Sequence, residues 1–138
     1  MAAHWLVKTE PGTYSFADLQ REGRAVWDGV RNNAAAVHLK AMQPGDEVLV
    51  YHSGDEKAVV GVARVAQAAF PDPSDESGRF VAVALTADRP TPRPVTLAEL
   101  KAEPALTNMV MLRQGRLSVS PVSDEEWAAI IELAGAGG

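Results

Sequence analysis

The chain has 138 residues, enough for one domain to bury its own core without staples, and its 46% hydrophobic and 22% charged content is ordinary for a soluble globular protein. It has no cysteine and three histidines, which excludes disulfides, thiolate catalysis and a cysteine-based zinc site and leaves no metal or cofactor expected. The formal charge of −5, split as −1 over residues 1–69 and −4 over residues 70–138, disfavours a protein gripping many phosphates but permits one pocket with a few local cations.

In chain order, His4–Lys8 reads as a strand with Trp5 and Val7 on one face, ended by Glu10-Pro11-Gly12. Ser15 caps a short helix that finishes near Gly23, with Asp18 favourable in its first turn. Asn33–Met42 favours helix through its alanines, Leu39 and Met42. Pro44-Gly45-Asp46 is a turn and Glu47–His52 a strand. Ala58–Ala68 is a valine-rich strand in which Gly61 marks a bulge or a close backbone approach. Asp72–Gly78, polar and acidic, reads as an exposed, mobile loop. Arg79–Thr86 is the next strand, and Arg89–Pro94, with proline at every second position, an extended connector.

Thr96-Leu97-Ala98-Glu99 is a capping box for another short helix, followed by an apolar segment from Leu106 to Leu112. Arg116–Val122 alternates as a strand, with Leu117 and Val119 opposite Arg116, Ser118 and Ser120. Ser123 opens a helix that places Trp127, Ile130, Ile131 and Ala134 on one side, so Trp127 belongs to the core; residues 135–138 are expected to fray. The pattern predicts an α+β domain over residues 1–134, built around a β-barrel of five or six strands. With no apolar run of about 18 residues and no basic-then-apolar leader, a cytoplasmic place without a membrane partner is expected.

One stretch carries the functional argument. Trp27-Asp28-Gly29-Val30-Arg31-Asn32 brings an aromatic plate, a carboxylate, a chain-bending glycine, a guanidinium and an amide onto six residues. It is either a turn holding a core tryptophan or the wall of a pocket that stacks a planar ring and reads its polar edge. Glu10 and Asp28 are each a turn or cap residue, or an acceptor for an exocyclic amine. Asn32 can serve either edge of a base, since its amide both donates and accepts. Arg31 and Arg116 are solvated, or paired with Asp28 and Glu10. Lys8, Arg31 and Arg116 are the expected phosphate neighbours.

Tyr51-His52-Ser53 suggests a hydrolase, but neighbours on a strand face opposite ways, so His52 cannot readily activate Ser53. There is no Gly-x-Ser-x-Gly elbow, HExxH or glycine-rich phosphate loop. A small hydrolase using Glu10, Asp28 and His52 stays as the alternative, beside a small-molecule or protein-interaction module.

Four motifs in order, Trp5-Leu6-Val7-Lys8-Thr9-Glu10-Pro11, Trp27 to Asn32, Tyr51-His52-Ser53-Gly54 and Arg116 to Val122, make the chain similar to the EVE family of small PUA-like domains from about Trp5 to Trp127. Thr9 stands where the family usually has serine, and Asn33 and Ala34 replace a more usual aromatic and polar pair. EVE domains in turn resemble YTH readers, in which a strand ending in Lys-Ser and a later Val-Trp pair build a cage for methylated adenine; Lys8-Thr9 and Val26-Trp27 match them. The resemblance implies a PUA-like β-barrel and no catalysis. It implies instead recognition of a modified base, modified cytosine in DNA, flipped into an aromatic and polar pocket. The ligand-binding residues expected are Lys8, Thr9, Glu10, Trp27, Asp28, Asn32, Tyr51, Ser53, Arg116 and Ser118, and the expected partner is DNA or RNA carrying that base; a monomer is expected, though nothing in the sequence fixes the oligomeric state.

Overall fold

The computed structural model describes residues 3–135. Its six strands are β1 (His4–Thr9), β2 (Arg24–Trp27), β3 (Glu47–His52), β4 (Ala58–Pro71), β5 (Val81–Thr96) and β6 (Val119–Val122). They form one mixed sheet in the order β2-β5-β4-β3-β1-β6, with β1 and β3 parallel and every other pair antiparallel. Five helices complete the α+β fold: α1 (Phe16–Glu22), α2 (Asn33–Ala41), α3 (Leu97–Ala102), α4 (Val110–Arg113) and α5 (Asp124–Leu133). The expected barrel is thus PUA-like in its elements but open, since the edge strands β2 and β6 do not pair with each other. Both are only four residues long, and α2 packs against β4, β5 and β6, filling the space closure would need.

The sheet is buried on both faces. Trp5, Val7, Val48, Val50, Val83, Leu85 and Val119 meet Phe16 and Leu19 of α1 and Ala35 and Leu39 of α2. Leu6, Leu49, Val62 and Val95 meet Leu100, Met111, Trp127 and Ile130 on the other side. Strand β3 therefore reads as a run of apolar residues, as strands covered on both faces do.

Local signals place the helix starts. Ser15, Thr96 and Ser123 each form a capping box, with Asp18, Glu99 and Glu126 as the third helical residue. Gly61 is a close approach and a bulge together: a Cβ there would lie 2.4 Å from the Phe16 ring, and the β4–β5 register shifts beside it.

Three segments differ from expectation. The Arg89–Pro94 connector is the continuation of β5, with Pro90 opposite Gly61. Alternation puts all three missing proline N–H groups on one edge of the strand, and β2 pairs only with Val83–Thr86, so β5 has a strand-free edge there. The segment Leu106–Leu112 divides into a 3₁₀ turn (Pro104–Leu106) and α4. Of the expected strand from Arg116, only Val119–Val122 joins the ladder. Of the tail expected to fray, residues 136–138 lie outside the described residues.

Candidate nucleic-acid interface

The end of β1, the chain after it and the whole of β2 enclose a cavity of about 810 Å³. Lys8, Thr9 and Glu10 form one side, Tyr14, Glu22 and Ser118 another, and Arg24 to Arg31 the third. Trp27 is only 9% exposed and belongs to the core of the inner face, yet it also lines this cavity. The two readings of the tryptophan hold together, since the same side chain belongs to the core and to the cavity wall. Tyr14 meets it edge-on, with ring centroids 6.0 Å apart and planes at 81°. That perpendicular contact suits the quadrupoles of both rings.

The turn after Trp27 is held by a residue that sequence reasoning read as part of a solvated loop. Asp72 is 3% exposed; its Oδ2 accepts from the Gly29 N–H and from Arg31 Nη1, each at 2.9 Å, and its Oδ1 from the Ser74 N–H and hydroxyl, each at 2.6 Å. Burial alone would raise its pKa, but the hydrogen bonds from Ser74, Arg31 and Gly29 outweigh it and hold the carboxyl well below the usual carboxylate range. Gly29 sits at φ +79°, the left-handed region where glycine carries no steric penalty. Arg31 also reaches Ser74 Oγ at 3.1 Å and lies over the Phe80 ring at 5.2 Å. Arg31 is therefore a structural partner of Asp72, not of Asp28 or Glu10. The only sequence signal for this arrangement was the Asp72-Pro73-Ser74 spacing of a turn in which an aspartate accepts from the N–H two residues on.

Lys8, Thr9, Glu10, Trp27, Asp28 and Ser118 come together at the cavity. Lys8 Nζ donates to the Gly115 carbonyl at 2.6 Å, and burial pulls its pKa down. The Thr9 hydroxyl donates to the Tyr14 carbonyl at 2.6 Å, which ties β1 to the chain bearing Tyr14 and leaves the oxygen's lone pairs as acceptors. Glu10 and Asp28 are both exposed and neither forms an ion pair among the described residues. The cavity therefore presents these two carboxylates, and a third, Glu22, that accepts from the Tyr14 hydroxyl, beside an aromatic wall.

The other expected residues lie elsewhere. Asn32 caps α2, its Oδ1 accepting from the Ala35 N–H at 3.0 Å, and it does not line the cavity. The orphan N–H groups of a helix start claimed that side chain. Tyr51 and Ser53 line a second, smaller groove that shares Lys8 with the cavity. Arg116 is exposed and lines neither. Conversely, Tyr14, Glu22 and Arg24 line the cavity without having been singled out in the sequence; the Tyr14 hydroxyl donates to Glu22, and burial and that bond push the phenol pKa up.

His52 is 7% exposed with both ring nitrogens engaged: Nε2 accepts from the Phe16 N–H at 3.0 Å and Nδ1 faces Glu56 Oε2 at 2.7 Å. It holds the start of α1 and has no nitrogen left to serve Ser53 or the cavity as a base.

The EVE domain model matches residues 3–133. The chain belongs to the EVE-domain family. Human thymocyte nuclear protein 1 is 31% identical over 167 aligned residues, which cover 96% of this chain and 74% of the relative. A protein from Rhodopseudomonas palustris solved by NMR is 45% identical with a TM-score of 0.92, covering 97% of this chain and 94% of that one. The crystal structure of human thymocyte nuclear protein 1 in complex with DNA containing 5-methylcytosine matches with a TM-score of 0.88 at 30% identity, over 96% of this chain and 98% of that one. Among the described residues of this EVE chain, no helix is long and apolar enough to cross a membrane.

Proposed function

We propose that this EVE domain binds DNA carrying a modified cytosine, without catalysis, by taking the base out of the stack into the cavity beside Trp27. The observation that carries the reading is that Trp27 lines, together with the exposed carboxylates Glu10 and Asp28, an open cavity of about 810 Å³. That volume lies within the range of about 300–1,000 Å³ usual for small-ligand sites. An aromatic surface supplies affinity for any base, and a carboxylate accepts from an exocyclic amine such as that of cytosine, which thymine lacks. The human relative crystallised with DNA containing 5-methylcytosine supports the same partner. Of the groups named for the hydrolase alternative, His52 is committed to Phe16 and Glu56, which leaves that reading only the carboxylates Glu10 and Asp28. The cytoplasmic place expected from the sequence stands against the nuclear name of the vertebrate relatives, and DNA as the partner favours wherever the chromosome lies.

Magnitudes bound the selectivity. Extruding a base costs a few kcal/mol, least from single strands, and stacking on an aromatic returns about 1–3 kcal/mol. A buried methyl adds about 0.8 kcal/mol, roughly fourfold in affinity. Titrating single- and double-stranded oligonucleotides that differ only in one 5-methylcytosine, with RNA counterparts, tests this. A preference of a few fold for the methylated DNA is expected, tighter on single strands, and Asp28→Ala should narrow cytosine-over-thymine discrimination. Equal affinity for all bases in the wild type, or preference untouched by both Asp28→Ala and Glu10→Ala, would sink the reading.

A further inference from the structure

The smaller groove has a charge character at odds with the rest of the chain. It encloses about 270 Å³, and its lining includes Lys8, Lys57 and Lys101 with no carboxylate. The sequence has four lysines, at positions 8, 40, 57 and 101, and 18 acidic residues against 13 basic ones. Three lysines converging in one groove of an acidic protein oppose the overall field.

Folding brings them there from three separate elements. Lys57 sits in the hairpin between β3 and β4, and its carbonyl accepts from the Leu97 N–H at 2.8 Å, which fastens that hairpin to the start of α3. Lys101 stands in the last turn of the same helix. Lys8 is anchored through Gly115 and lies 5.7 Å from the centroid of the Tyr51 ring. Lys57 and Lys101 are exposed, and neither forms an ion pair among the described residues. Lys57 is also the one non-glycine among them with a left-handed backbone, at φ +48°. Of the neighbouring acids, Glu56 faces His52 and neither it nor Asp55 lines the groove, while Glu10 Oε1 lies against Gly54 of the lining, which leaves one carboxylate beside three lysines. The floor is apolar, with Met111 and Leu112.

Lys8 lines both spaces, so they are contiguous at that side chain. We propose that the lysine groove carries the sugar-phosphate backbone adjoining the base held beside Trp27, with Lys8 at the nearest phosphate and Lys57 and Lys101 at the next. This rests on the nucleic-acid reading given above. The apolar floor leaves room for the sugar face, and the ammonium groups take the phosphate oxygens. The groove assigns Tyr51 and Ser53 a place beside the backbone in place of one beside the base. It also replaces Arg31 and Arg116 as phosphate contacts.

The double variant Lys57→Gln/Lys101→Gln tests it, with three probes: a single-stranded oligonucleotide with one 5-methylcytosine, the same strand with cytosine, and the free 5-methyldeoxycytidine nucleoside. Each single-strand phosphate contact contributes about 0.7 to the slope of log affinity against log salt, so losing two should flatten the slope by about 1.4. Both oligonucleotides should weaken by the same factor, because phosphate contacts position and do not specify. Nucleoside affinity should not change. An unaltered slope, or a weakened nucleoside, overturns the proposal. A wild type that treats the two oligonucleotides alike while the double variant still flattens the slope keeps the groove and discards the base pocket. A wild type that binds neither oligonucleotide at low salt overturns both.

Discussion

Two tryptophans with the same exposure, 9%, occupy opposite faces of the sheet and do different work. Trp127 projects from α5 into the outer core and stacks on His4 with centroids 4.3 Å apart and planes at 14°. It belongs to a cluster of Leu, Val, Met, Ile, Ala and Tyr51, and it borders neither cavity. Trp27 projects from the short edge strand β2, where the sheet runs out and the chain turns away through Asp28 and Gly29. At equal exposure, Trp127 borders no cavity because α5 sets it into the outer core, while Trp27 lines one because β2 ends at it. Burial by itself does not mark a binding residue. What marks it is a place where regular structure stops and charged groups begin.

The largest expected effect sets the two apart only partly. Trp127→Ala and Trp27→Ala should each cost about 3–5 kcal/mol, since both remove a mostly buried indole. In thermal melts this is a drop of roughly 10–20 °C for either. The neutrality expected of an exposed pocket wall therefore does not apply to Trp27, whose truncation is a poor probe of binding. Conservative replacements sharpen the comparison. Trp27→Phe should weaken oligonucleotide binding beyond its cost in stability, whereas Trp127→Phe should change stability alone. Equal binding losses in the two Phe variants would break the distinction.

A somewhat smaller effect belongs to Asp72, which holds the Trp27 side and has no role on the Trp127 side. Asp72→Ala should cost about 3 kcal/mol, the low end for breaking a buried ion pair, because Arg31 is 41% exposed and can be resolvated. The pH dependence has a definite sign. A carboxyl with a depressed folded pKa lends stability that is complete above its ordinary value of 3.8 and is lost as pH falls below it. Acid unfolding of Asp72→Asn should accordingly be less steep than that of the wild type below about pH 4. Parallel acid limbs would show that Asp72 is not the anchor of the turn.

The smallest effect is at Arg116, expected from the sequence to meet phosphate but exposed and outside both spaces. Arg116→Gln should leave the salt slope of oligonucleotide binding unchanged within error. Flattening by about 0.7 would return Arg116 to the phosphate path.

Much of the fold was legible because its signals are local. A capping serine and an acid three residues on form one turn of backbone, so Ser15, Thr96 and Ser123 could be read directly. The run Glu47–His52 announced its strand by composition, and Gly61 its close contact. The motifs also brought six of the ten expected ligand residues to one cavity. Asn32 stands outside the cavity as the cap of α2, because a helix start makes a simpler claim on that side chain than a base edge does.

The sequence by itself determined which short elements form, where helices begin, and that an aromatic, acidic and basic mixture gathers around Trp27. Tertiary structure decided which charges are free. Asp72 reaches Gly29 across 43 residues and takes half-exposed Arg31 as its ion-pair partner; the hairpin bearing Lys57 reaches α3 and so gathers three lysines from distant elements. A cap is settled by neighbours a few bonds away, whereas the partner of a charged side chain is whichever group the register of the sheet carries to it.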